Sequence, residues 1–209
     1  PLYSSAASDV YKRQMEAYGE VFREEFEWAT NWKVLAENFM ESYHLPVCHA
    51  GTIGGASDLN KMECPVGKEA FNYHWIIKND SVPLALAHPS NTTLQGDDRR
   101  NTWLLAIYPA LLITLTPGYF WYLSLTPDGP GSVRVLFGGG MSADWMADPA
   151  AAEHLKGVKA LLDDVQIEDK GCTEKVYRGL LAGLSGPGAL SHLERPNYDF
   201  ARWIASKMP

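Results

Sequence analysis

The sequence predicts an α+β fold. Three observations carry that reading: a helical stretch near residues 31–45, a series of aromatic and β-branched segments between 70 and 138, and a long helical segment toward the C-terminus. The chain has 209 residues, 46% hydrophobic and 21% charged. That is ordinary globular composition, long enough to bury a sizeable core without cross-links, and it excludes disorder and collagen-like repeats.

Each element follows from local pattern. Residues 15–28 are short and mixed, and Val21 and Arg23 alternating with Phe22 and Phe26 read as a strand. Asn31–Leu45 has helical period, with Trp32, Leu35, Phe39 and Tyr43 on one side and Val34, Glu37, Asn38, Glu41 and His44 on the other. Pro46 lacks an N–H, so the helix is expected to end near Leu45 and leave His49 on the following loop. Ala70–Lys78, Thr102–Tyr108, Leu111–Thr116, Tyr119–Thr126 and Ser132–Gly138 read as strands, separated by turns such as Pro117-Gly118. The short spacings favour antiparallel pairing. Asp80–Asn101 is a long polar stretch without period, of the kind that is functional or mobile. Asp148–Leu184 reads as a long helix, whole or broken once, stopped by Gly183, Gly186, Pro187 and Gly188. A short amphipathic helix follows around Phe200–Ile204.

Composition narrows the function classes. No run of 18 apolar residues exists, so no helix is expected to span a membrane. Eighteen Lys+Arg against 25 Asp+Glu give a net charge of −7 without a basic run, which argues against a nucleic-acid partner. Cys48, Cys64 and Cys172 are odd in number and lack C-x-x-C spacing, so they read as reduced thiols in a cytoplasmic protein. The N-terminal segment is unusual. Ser4–Gln14, SSAASDVYKRQ, is what a transposase sequencing adapter encodes when read as codons. Residues 1–14 are therefore expected to be a non-native scar, with the chain truncated at or near Met15.

The chemistry concentrates in Glu37–His49. His44 and His49 lie five apart with Pro46 between them. On an unbroken helix they would point about 140° apart, and a break at Pro46 frees His49 to fold back. Two imidazoles leave room for a carboxylate and for open metal positions. The pair reads equally as a helix end with two half-exposed histidines. The long helix adds a third group. Its apolar stripe runs Val158, Leu161, Leu162, Val165, Cys172, Val176 and Leu180, and Asp169 falls near its middle. A buried unpaired carboxylate costs several kcal/mol, so it needs a cation. Two histidines and one aspartate match a non-heme Fe(II) face with positions open for O₂. An exposed Asp169, or one paired to an arginine, is the alternative. Zinc is the rival metal, although the H-E-x-x-H pattern is absent.

The segment Asn31-Trp-Lys through Glu37-Asn38 and Glu41-Ser-Tyr-His44-x4-His49 resembles the signature of Rieske-type non-heme iron oxygenases, the aromatic-ring-hydroxylating dioxygenase alpha-subunit family. Glu168-Asp169 through Glu174, Val176, Gly179 and Leu180 resembles that family's second block, and the resemblance covers roughly residues 28–209. It implies a helix-grip (START-like) catalytic domain, an antiparallel sheet wrapped around a long C-terminal helix. It implies His44, His49 and Asp169 as Fe(II) ligands, and Glu41 as the bridging carboxylate that relays electrons from a neighbouring subunit's [2Fe–2S] Rieske cluster in a homotrimer. Asn38 would support the ligands from the same helix face. Such a cluster needs C-x-H and C-x-x-H, and neither motif is present. The cluster is thus expected in an N-terminal domain missing from this chain, with residues 15–209 forming the mononuclear-iron domain. Glu at position 41, where ring-hydroxylating members usually have Asp, is similar to oxygenases of glycine betaine and other quaternary ammonium compounds. The resemblance implies oxidative N-demethylation of such a small molecule with O₂ and a reductase, or else aromatic hydroxylation. A metal-free helix-grip ligand-binding module is the reading from another class; it explains the aromatic strands but not Asp169.

Overall fold

The computed structural model describes residues 18–183, 186 and 188–208. The expected scar at 1–14 lies outside the described residues.

Seven strands form one antiparallel sheet: β1 (Gly19–Trp28), β2 (Ser57–Glu63), β3 (Phe71–Lys78), β4 (Asn101–Ile107), β5 (Leu111–Leu115), β6 (Tyr119–Pro127) and β7 (Val133–Met141). Their order is β1-β7-β6-β5-β4-β3-β2. Strands β3 to β7 are a meander, and β1 returns to pair with β7 at one edge. The alternation in β3 shows why the sheet has two unlike faces. Asn72, His74, Ile76 and Lys78 are buried on the inner face, while Phe71, Tyr73 and Trp75 stand on the outer face. There Tyr73 and Trp75 stack with each other and with Trp103 at centroid distances of 4.8–6.2 Å.

The inner face is covered by helices. Helix α1 (Trp32–Phe39) packs against β4, β6 and the long helix, burying Leu35, Ala36 and Phe39. Asn31 caps it by accepting the Lys33 N–H at 2.9 Å. A short turn, α2 (Leu45–Cys48), follows it, and α3 (Ala143–Met146) precedes the long helix α4 (Ala151–Leu181). Helix α5 (Arg195–Ala205) packs on β3, with Phe200 fully buried against Trp32 and Tyr108. The core runs from Trp28 through Val133, Val135 and Phe137 to Val158 and Leu162.

This is the α+β helix-grip arrangement that the sequence predicts, with four differences. Helix α1 stops at Phe39, short of Leu45. Buried Glu41 takes the backbone N–H of His44 at 3.1 Å and Ser42 bonds the His74 ring at 2.9 Å, so side chains compete with the helical ladder there. Pro46 then opens a helical turn instead of ending one, because its missing N–H costs nothing in a first turn. Strand β2 was not expected: SDLNKME is polar, and its pairing with β3 at the sheet edge is irregular. The stripe of α4 is buried only as far as Thr173, and Val176 and Leu180 are exposed. The helix itself is unbroken.

The long segment between β3 and β4 is ordered by packing. Val82, Ala85, Ala87 and Leu94 are buried. The Arg99 guanidinium donates to the carbonyls of Ala87, His88, Asn91 and Leu94.

Candidate metal centre

The end of α1, the turn α2 and the middle of α4 meet on the inner side of the sheet. His44 leads into α2 and His49 closes it, so the turn built on Pro46 brings both rings to one side. Their centroids are 5.2 Å apart. Asp169 faces them from α4. One donor atom from each of His44, His49 and Asp169 lies within 4.8 Å of the others.

The orientation of the rings matters more than their proximity. The His49 Nε2 atom is 3.1 Å from Asp169 Oδ1, and the His44 Nε2 atom is 3.6 Å from the same oxygen. Each Nδ1 is turned to a different carboxylate: His44 to Glu41 Oε1 at 2.5 Å, His49 to Glu168 Oε2 at 2.8 Å. A carboxylate on Nδ1 holds the proton there and leaves the Nε2 lone pair for a metal. Thr52 donates to the same Glu168 oxygen at 2.6 Å, and Asn38 donates to Asp169 Oδ1 at 2.8 Å. Five of the seven groups were legible as a constellation or its surroundings; Glu168, expected only at the edge of the helix stripe, was not assigned a role, and neither was Thr52.

The electrostatics are those of an anionic site built around two imidazoles. Burial would raise the Asp169 carboxyl, but the two histidines outweigh it and hold it at about 2. Burial would lower His44, but Asp169 and Glu41 outweigh that and hold it at about 9. His49 is raised in the same way, against burial, by Asp169 and Glu168. The partners of Asp169 are the two rings and Asn38, with no Lys or Arg among the described residues. A buried carboxylate with no fixed cation, faced by two Nε2 atoms, is a donor set suited to a first-row divalent metal, with iron and zinc both compatible.

A cavity of about 70 Å³ opens beside this cluster, lined by Phe39, Tyr119, Trp121 and Leu162 among others. One water needs roughly 10–15 Å³ on that measure, so the space admits a small organic molecule. The sheet supplies its floor through the inner row Leu104, Thr114 and Trp121, aligned across β4, β5 and β6. Of the aromatic residues on the strands, Tyr119 and Trp121 reach the cavity, whereas Phe71, Tyr73, Trp75 and Trp103 belong to the outer face.

Residues 15–209 match the family model described as the ring hydroxylating alpha subunit, catalytic domain. No protein of curated function matches the sequence. Among solved structures, the chain is similar to a quaternary ammonium Rieske monooxygenase studied for carnitine oxidation by gut microbiota and inter-subunit electron transfer. The TM-score is 0.71 at 16% identity, covering 99% of this chain and 55% of that one. The L-carnitine complex of such a monooxygenase gives 0.67 at 14% identity, covering 98% and 53%. Dicamba monooxygenase bound to dicamba gives 0.62 at 17%, covering 91% and 60%. At these identities the likeness is one of fold, and the chain spans little more than half the length of these structures.

Proposed function

The chain belongs to the family of ring-hydroxylating alpha subunits, through their catalytic domain, and from that premise we propose that it holds Fe(II) with His44, His49 and Asp169 to hydroxylate a small organic substrate. The observation that carries this is the convergence of two Nε2 atoms on Asp169 Oδ1, with both Nδ1 atoms committed to carboxylates. A metal-free binding module has no use for that arrangement.

Bound iron would supply the activation of O₂. The chain's own residues do the rest. Glu41 and Glu168 fix the two rings, and Asn38 orients the Asp169 carboxylate. Phe39, Tyr119 and Trp121 exclude water and offer aromatic faces to a cationic substrate. Glu41, one hydrogen bond from a ligand, would relay electrons. The source would be a [2Fe–2S] cluster carried by another domain, in a cytoplasmic homotrimer served by a reductase. Residues 15–209 would be the mononuclear-iron domain.

The substrate we favour is a quaternary ammonium compound such as glycine betaine. The fold likeness to a quaternary ammonium monooxygenase and Glu at position 41 support it. Hydroxylation of an N-methyl group gives an N-hydroxymethylammonium, which loses its hydroxyl proton and breaks its C–N bond to release formaldehyde and the tertiary amine. The test uses hydrogen peroxide, which delivers one oxygen atom and leaves as water, so no electron relay is needed. The Fe(II)-loaded chain with glycine betaine and peroxide is expected to yield formaldehyde and dimethylglycine. With NAD(P)H and a reductase alone it is expected to yield neither. Hydroxylation of an aromatic probe without formaldehyde from betaine would transfer the assignment to ring hydroxylation. Failure to bind iron would overturn it.

A further inference from the structure

Lys78 is a buried charged residue of the cavity wall that the metal centre leaves unexplained. It is 6% exposed, the last inward residue of β3, and lines the same cavity as His44, His49 and Asp169. Among the described residues its ammonium has one hydrogen-bond partner, the Ser57 hydroxyl at 2.5 Å, and that hydroxyl in turn donates to the Ile53 carbonyl. An ammonium carries three donors. No carboxylate among the described residues forms an ion pair with Lys78.

Lys78 has no hydrogen bond or ion pair to the histidines or the aspartate among the described residues. His74, two inward positions earlier on β3, bonds Ser42, beside Glu41. Four residues of strand separate the two side chains by about 13 Å. Two further cavity-lining groups, the Thr102 and Thr114 hydroxyls, are buried without a hydrogen-bond partner among the described residues. Burial pushes the ammonium down to about 8, so it remains mostly charged at neutral pH. A buried cation with donors to spare and no ion-pair partner is costly unless an anion completes it.

We propose that Lys78 anchors a carboxylate of the substrate, making this chain selective for small carboxylic acids over neutral molecules of the same shape. Thr102 and Thr114 add neutral donors on the same wall. The inference deepens the function proposed above, since the cavity is the one beside the metal centre. For a betaine it orients the molecule: carboxylate toward Lys78, methylammonium toward Asp169 and Glu41. Lys78 is then a specificity residue and takes no part in the chemistry.

The test is calorimetric titration of the metal-free chain with two matched pairs, glycine betaine against choline and benzoate against benzyl alcohol. Wild type is expected to bind the carboxylate of at least one pair tenfold or more tightly. In Lys78→Met, and in Lys78→Gln as a second folded variant, that preference should fall below threefold while Fe(II) affinity stays unchanged. Wild type with no tenfold preference in either pair, including one that binds none of the four, overturns the proposal. So does a preference that survives in both variants. A preference confined to the benzoate pair and lost in the variants upholds Lys78 as the anchor and sinks the quaternary ammonium reading. A lost preference in a chain that never binds iron upholds the anchor and sinks the oxygenase reading.

Discussion

Asp169 is the meeting point of the metal centre, because three side-chain nitrogens converge on one of its oxygens. Asp169→Ala is expected to abolish measurable Fe(II) binding in an anaerobic metal titration. Glu168→Gln removes the acceptor that fixes His49 Nδ1 and should weaken Fe(II) 10–100-fold, the usual cost of losing such a partner. Lys78 makes the opposite kind of prediction. Its pKa is about 8 when folded, against 10.5 as an ordinary lysine. Between those values the unfolded chain binds more protons, so stability rises with pH across that window. Below pH 8 the buried ammonium costs about 3 kcal/mol. Lys78→Met should therefore be the more stable protein at pH 7, by up to that amount in urea melts, with the gap narrowing toward pH 10. The sequence made His44, His49 and Asp169 legible through type and period. It hid Glu168, whose carboxylate reaches a ring 119 residues away, and Lys78, since a lysine ending a strand ordinarily reads as solvated.

At the scale of elements, close approach decides more than propensity. A methyl group on Gly140 of β7 would stand 1.7 Å from the Gly19 carbonyl oxygen, on the backbone of the paired strand β1. Gly140→Ala must displace that edge strand, and a loss of more than about 3 kcal/mol is expected in equilibrium unfolding. Asn31 holds the start of α1 by its cap and also donates to the Pro130 carbonyl at 2.8 Å, so Asn31→Ala should cost about 1–2 kcal/mol. The meander strands were readable because aromatic and β-branched residues alternate between turns. Strand β2 was not, since an edge strand of polar residues is made by its neighbour. The end of α1 was misplaced for a related reason. Helical period continues through Tyr43, but Glu41 and Ser42 spend their side chains on His44 and His74, and no periodicity records that.

Across the whole molecule, the histidines and the aspartate join the first quarter of the chain to the long helix α4. A metal there binds the folded state alone, so saturating Fe(II) or Co(II) should raise stability by about 4 kcal/mol at a thousandfold excess over Kd. A chelator should reverse the shift in thermal melting, and Asp169→Ala should show none. The overall architecture was open to inference from one sequence because a meander and a single long helix have few ways to pack. The same separation along the chain has a consequence in time. His49 and Asp169 are 120 positions apart. At ribosomal speeds of about 5–20 residues per second, the aspartate is made roughly 6–24 s after the second histidine. Until then the nascent chain holds two of the three ligands and lacks the carboxylate. The protein thus comes to its metal late, after synthesis has delivered the helix that closes over it, and a half-made chain has little grip on a redox-active ion.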